Sequence, residues 1–120
     1  MIFFRILKRL FWWGRSIDKK TCDKLSCHIK KASLLSAREQ IIQYDKIYHY
    51  TLKELWYMGT FWEILKRNPK EIKNINEIWE LHKVRNSLVH ELKKRDEKHL
   101  EKQAFTYQKI CKDFIIQVKN

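Results

Sequence analysis

The segment that is most informative about the fold runs from Asn74 to Leu92 and reads NINEIWELHKVRNSLVHEL. Its apolar residues recur at spacings of three and four, which is the period of an amphipathic helix. Asn74 and Asn76 are candidate N-caps, because their short side chains accept hydrogen bonds from a first helical turn. The spacing therefore predicts a helix over 74–92.

The same period extends outward from this segment along most of the chain. It predicts further helices over residues 33–58, 61–66 and 97–118. Only two Gly and one Pro occur in 120 residues, which argues against a fold with many turns. We expect an all-α protein, an up-and-down bundle of four to five helices with short connections.

Helix ends and core positions are also legible. Thr60 and Glu63 have the spacing of a capping box, Ser33 or Ser36 is a candidate cap for the long helix, and Gly59 marks its end. The last helix has a predicted core stripe of Leu100, Ala104, Tyr107, Ile110, Cys111, Phe114, Ile115 and Val118. Three tryptophans on apolar stripes are expected in the core: Trp56, Trp62 and Trp79.

Two basic blocks precede the predicted bundle. Residues 1–14 have the pattern of a basic amphipathic helix, too short to cross a bilayer, with tryptophans suited to an interface. This helix either anchors the chain at an anionic membrane surface or docks on the core or on a partner. Residues 15–33 are polar and basic with few apolar positions, and they are interpreted as a basic linker or a weakly ordered helix before a helical domain over 34–120.

The formal net charge of +12 favours a polyanionic partner, either nucleic acid or an anionic membrane. Three cysteines without a secretory signal are typical of a reducing compartment, so we expect a cytoplasmic protein, free or peripheral at the inner face of the membrane. Cys22, Cys27 and His28 lie near one another, but their spacing is loose for zinc, so they are interpreted as unliganded side chains. No cofactor or metal is expected.

Within the segment from Asn74 to Leu92, Arg85, Asn86 and His90 carry the chemistry. Arg offers a planar, permanently charged fork for phosphate, and His exchanges protons near neutral pH. Asn86 and His90 share a helix face, whereas Arg85 and His90 lie roughly 140° apart on a regular helix. The pair converges if the Arg wraps round, if the helix ends nearby, or if a two-fold partner completes the site.

This segment resembles the signature of the HEPN family, in which an Arg is followed after four to six residues by a His. The resemblance covers roughly residues 34–118, and residues 81–91 are its specific part. It implies a helical homodimer that acts as a metal-independent endoribonuclease, a toxin or defence component with an antitoxin partner. Arg85 and His90 would be the catalytic pair, with Asn86 as the auxiliary residue.

Several further residues are weighed beside this pair. Asp45 either reaches Arg85 across the bundle or is a solvated carboxylate, and His82 either lines the same cleft or is structural at a helix contact. Lys93, Lys94 and Arg95 are candidate contacts to RNA phosphates, or a charged helix end. Leu92 stands two positions after His90, where some family toxins carry a modifiable Tyr, so silencing at that position is not implied.

Two other functions compete with the ribonuclease. One is a non-catalytic HEPN-like nucleic-acid-binding or assembly module, held at the membrane by its first residues. The other is a helical interaction protein in which the Arg and His are coincidental.

Overall fold

Five α-helices account for most of residues 15–90 and 94–120, which are the residues that the structure, a computed structural model, describes. They are α1 (Lys19–Ala32), α2 (Ala37–Glu54), α3 (Phe61–Lys66), α4 (Ile75–His90) and α5 (Glu97–Val118). The all-α helical bundle expected from the sequence is confirmed. The helix predicted for residues 1–14 lies outside the described residues.

Helix α2 is the centre of the bundle, since it packs against α1, α4 and α5. Ser36 caps its first turn by accepting a hydrogen bond from the Glu39 backbone N–H at 3.3 Å. Its core stripe contains Ile41, Tyr44 and Leu52, none of which is accessible to solvent. Because α2 touches three neighbours, a polar residue on its inner face is surrounded by protein.

The predicted core stripe of α5 is confirmed at every position, from Leu100 to Val118. Asp96 caps the helix by accepting from the Lys98 backbone N–H. A 22-residue helix with one continuous apolar face has its packing dictated by that face. The stripe meets α2 along its length and carries Tyr107 and Cys111 into the interior.

Of the two interpretations of residues 15–33, a linker or a weakly ordered helix, the linker is wrong. Residues Lys19–Ala32 form a helix capped by Asp18, which accepts from the Thr21 backbone N–H at 2.8 Å. The helix buries Cys22, Leu25, Ile29 and Ala32 against α2 and α5. These residues, spaced three and four apart, form an apolar stripe only one residue wide. Such a narrow stripe is enough to pack a helix between two others.

Pairing between the two ends of the described chain also joins this helix to the bundle. Ile17 donates its backbone N–H to the Val118 carbonyl at 2.8 Å and accepts from the Asn120 N–H at 2.7 Å. The Ile17 side chain is fully buried. The packed unit therefore starts well before residue 34, the predicted domain boundary.

Helix α2 ends at Glu54, four residues short of the predicted end, because the backbone turns left-handed. Trp56 has φ of 75° and Gly59 has φ of 109°. The side chains of Trp56 and Trp62 are each 45% exposed, so the expectation that they belong to the core is wrong. Trp79 is half-buried and meets the Trp62 ring edge-on at 4.5 Å between centroids.

The predicted capping box at the start of α3 is confirmed. The Thr60 hydroxyl accepts from the Glu63 N–H at 3.1 Å, and the Glu63 carboxylate accepts from the Thr60 N–H at 3.1 Å. These contacts, with the attraction of nearby cations, lower the pKa of Glu63.

Loss of the Thr60 hydroxyl leaves an end of a six-residue helix without its cap. We expect Thr60→Ala to lower the free energy of unfolding by about 1 kcal/mol, the usual cost of a lost N-cap, as measured by urea denaturation. Thr60→Ser keeps the hydroxyl and is the control. An Ala variant as stable as the Ser variant would show that the box contributes nothing measurable.

No helix among the described residues is both long and apolar enough to cross a membrane.

Candidate functional site

Asp45 is the centre of a polar cluster inside the bundle. Its side chain lies on the inner face of α2 and the residue is only 4% exposed. Tyr107 of α5 donates its hydroxyl to Oδ1 at 2.6 Å, and His82 Nδ1 of α4 lies 3.1 Å from both carboxylate oxygens. The alternative that Asp45 is a solvated surface carboxylate is therefore wrong.

The position of the Asp45 carboxylate places a proton on His82 Nδ1. The ring donates this proton to Asp45, and Nε2 lies on the side of Asn86. The Asn86 amide nitrogen lies 3.5 Å from that Nε2, one turn further along α4. His82 is 6% exposed, so it stands at the contact between α4 and α2 rather than on an open surface.

Arg85 closes the cluster on its outer side. Its Nη1 donates to the Asn86 Oδ1 at 2.9 Å, and its Nε lies 3.7 Å from Asp45 Oδ2. The expected approach of Asp45 to Arg85 across the bundle is thus present. The Arg85 side chain is 27% exposed, so part of the guanidinium reaches solvent while the rest is held by protein.

The cluster is a chain of contacts that ends at Asp45. Arg85 donates to Asn86, the Asn86 amide nitrogen lies near His82, and Asp45 accepts from His82 on one side and from Tyr107 on the other. The sequence interpretation placed Tyr107 only in the core stripe and missed this role. The signal was available, since a buried Tyr hydroxyl usually finds a polar partner.

The interior around the cluster is buried and aromatic. The Phe61 ring packs on the His82 ring at 4.7 Å between centroids. Burial, and then the negative charge of Asp45, raise the pKa of Tyr107 well above its ordinary value, so its hydroxyl remains a donor. A fixed network in such surroundings holds the Arg85 side chain in one orientation.

His90 occupies a different position from Arg85. It is the last residue of α4 and is exposed. Because α4 is helical through both positions, the two side chains leave the axis roughly 140° apart, with about 7.5 Å of rise between them. Of the predicted phosphate contacts, Lys94 is exposed and Arg95 half-buried, while Lys93 lies outside the described residues.

Metal ligands are not assembled in the part of the chain that the structure describes. There, no group of three or more His, Cys, Asp or Glu side chains is arranged to hold a metal ion. Cys22 is buried with its thiol towards the Ile17 carbonyl, whereas Cys27 is exposed.

The protein is an all-α bundle in which a network of a carboxylate, a histidine, an amide and a guanidinium connects the central helix α2 with α4. No protein-family model, no curated protein and no solved structure matches the chain. The resemblance to the HEPN family stays a prediction from the sequence.

Proposed function

We propose that this chain is a metal-independent endoribonuclease that acts as a homodimer, with Arg85 and His90 as its catalytic residues. The observation that carries the proposal is the partly exposed side chain of Arg85, which donates to Asn86 and forms an ion pair with Asp45. An Arg fixed in this way meets a phosphate without first losing side-chain freedom, which is the advantage of a preorganised site.

The guanidinium retains donors for a substrate. Of its five N–H groups, the Nε–H is buried 3.7 Å from Asp45 Oδ2 without a hydrogen bond, and one on Nη1 is used by Asn86. Three therefore remain for phosphate oxygens. A planar fork of this kind binds two oxygens of one phosphate and stabilises the extra negative charge that develops when the phosphorus is attacked.

The proposed reaction is transesterification of RNA. The ribose 2′-oxygen attacks the adjacent phosphorus, the bond from phosphorus to the 5′-oxygen breaks, and a 2′,3′-cyclic phosphate and a 5′-hydroxyl result. His90 of one copy accepts the 2′-hydroxyl proton, and His90 of the second copy donates a proton to the leaving oxygen. DNA, which lacks the 2′-hydroxyl, is not a substrate.

A dimer through α4 supplies the geometry that one copy lacks. Arg85 and His90 of a single chain lie on different sides of α4, so two copies related by a two-fold axis are needed to line one cleft with both. The net charge of +12 favours association with RNA of any sequence, and Lys94 lies close to His90 in the chain to hold a flanking phosphate.

The test is cleavage of several labelled RNAs in EDTA by the full chain, Arg85→Ala and His90→Ala. We expect the parent to leave cyclic-phosphate ends and each variant to be about a hundredfold slower or worse, the usual loss of a general acid–base group or of charge stabilisation. His99→Ala, which removes an exposed histidine of α5, is the matched control and should keep full activity.

Two results would contradict the proposal. One is no cleavage by the correctly folded parent on any RNA, and the other is equal cleavage by the parent and the His90 variant. RNA binding without cleavage would instead favour the non-catalytic binding module. If sedimentation shows that the parent is a monomer at all concentrations, the proposed cleft between two copies does not form.

A further inference from the structure

A concave surface lies between α1 and α2, and none of the residues of the Arg85 cluster lines it. Its volume is about 320 Å³, at the small end of the roughly 300–1,000 Å³ typical of small-molecule sites. Each helix contributes one face at the same spacing, and the main lining residues are Lys24, Leu25, His28, Lys46, Ile47 and Tyr50.

The cleft has an apolar floor and a cationic rim. Leu25 and Ile47 are buried at its base, whereas Lys24 and Lys46 are exposed, one on each helix. The described lining contains no carboxylate. An anionic group at the rim would therefore meet positive charge from both sides, and an apolar group would fit below it.

One wall of the cleft is aromatic. Tyr50 is 48% exposed, so its ring is open to a ligand. Glu54, one turn further along α2, raises the pKa of Tyr50 through a hydrogen bond and its negative charge. An exposed aromatic ring offers a flat face on which a planar base stacks, the contact that sequence-tolerant nucleic-acid sites use.

We propose that the cleft between α1 and α2 binds one nucleotide, with its base against Tyr50, Leu25 and Ile47 and its phosphate on Lys24 and Lys46. The apolar floor and the aromatic wall suit a base, and the two lysines suit a phosphate. The same chemistry is offered by a free mononucleotide and by one unit of single-stranded RNA. The site goes beyond the proposed ribonuclease, because it requires neither Arg85 nor His90.

The test is calorimetric titration of the full chain with AMP, with adenosine and with a ten-nucleotide 2′-O-methyl oligoadenylate. The methylated RNA cannot undergo transesterification, so the measurement stays independent of the proposed cleavage. We expect AMP to bind and adenosine to bind at least about tenfold more weakly, since the charge-assisted contacts are lost.

Two double variants with the same change of net charge isolate the cleft. Lys24→Gln with Lys46→Gln should weaken AMP at least about tenfold, whereas Lys30→Gln with Lys109→Gln, both exposed and outside the cleft, should weaken it less than about threefold. Thr21→Trp, which fills the cleft from the half-buried edge of α1, should abolish binding of AMP.

The outcomes separate the sources of the ligand. Competition between AMP and the oligoadenylate supports a nucleotide unit of RNA, and binding of AMP without competition supports a free mononucleotide. Equal losses in the two double variants would overturn the proposal, because they would show attraction by net charge alone. Absence of AMP binding at millimolar concentration would also overturn it.

Discussion

Replacement of Asp45 by Ala is expected to lower the free energy of unfolding by about 3–5 kcal/mol, because two buried donors lose their acceptor at about 1–3 kcal/mol each and Arg85 loses its ion pair. The carboxylate accepts from Tyr107 and His82 and faces Arg85 Nε. Without it, a buried hydroxyl and a buried ring N–H lose their acceptor. Both groups are buried, so each bears a desolvation cost.

Denaturation in urea, followed by circular dichroism, measures this change. Asp113→Ala removes an exposed carboxylate from α5 and is the matched control, expected within about 0.5 kcal/mol of the parent. Asp45→Asn keeps the volume and one acceptor and should fall between the two. If Asp45→Ala unfolds at the same urea concentration as Asp113→Ala, the network does not stabilise the bundle.

The Asp45→Asn variant also tests the proposed activity, because Asp45 lies beside Arg85. Asp45 does not touch a substrate, so it is a positioning residue for the guanidinium. In Asp45→Asn we expect Arg85 to be less well held and RNA cleavage to slow, while RNA binding, which depends on overall charge, changes little. A variant with unchanged cleavage would separate the buried network from the reaction.

Local patterns were enough to predict most of the helices. The start of α3 is encoded by residues three apart, Thr60 and Glu63, and the core face of α5 by one unbroken apolar stripe. Such features need only near neighbours in the chain, which is why their positions agree with the structure. The end of α2 was placed too late, because nothing in the sequence marks Trp56 as left-handed.

Helix α1 was predicted only as one of two alternatives, because its core face is weak by composition. Two of its four buried residues are Cys22 and Ala32, which add little to an apolar pattern. Its stability as a helix comes from burial against α2 and α5, which is a tertiary effect. The prediction that Trp56 and Trp62 lie in the core was wrong for the opposite reason, since a large apolar side chain in a stripe does not ensure burial.

Only part of the candidate site could be predicted from the sequence. Asp45 lies on the stripe of Ile41, Tyr48 and Leu52, so its burial follows from the helical period. That Tyr107, 62 residues further on, supplies its shortest hydrogen bond depends on how α5 packs against α2. Contacts at such separation follow from the tertiary arrangement, and a single sequence does not reveal them.

Phe114→Ala is expected to destabilise the bundle about as strongly as loss of Asp45, by about 3–5 kcal/mol. The Phe114 ring is buried on α5 and stacks on Tyr48 of α2 at 4.6 Å between centroids. Tyr48 in turn stacks on Phe61 at 5.9 Å. Truncation therefore opens a cavity in the column of rings that joins α2, α3 and α5.

Helix α5 carries its own control for this experiment. Phe105 is 70% exposed, so Phe105→Ala removes the same atoms from the same helix without a cavity and should change stability by less than about 0.5 kcal/mol. Phe114→Leu, which fills most of the space, should cost less than about 1.5 kcal/mol and remain measurable if the Ala variant does not fold. Similar urea midpoints for the two Ala variants would contradict the packing described for α2 and α5. A large loss at Phe114 alone would show that the interface carrying Asp45 and Tyr107 is held by this aromatic column, since the same two helices form both.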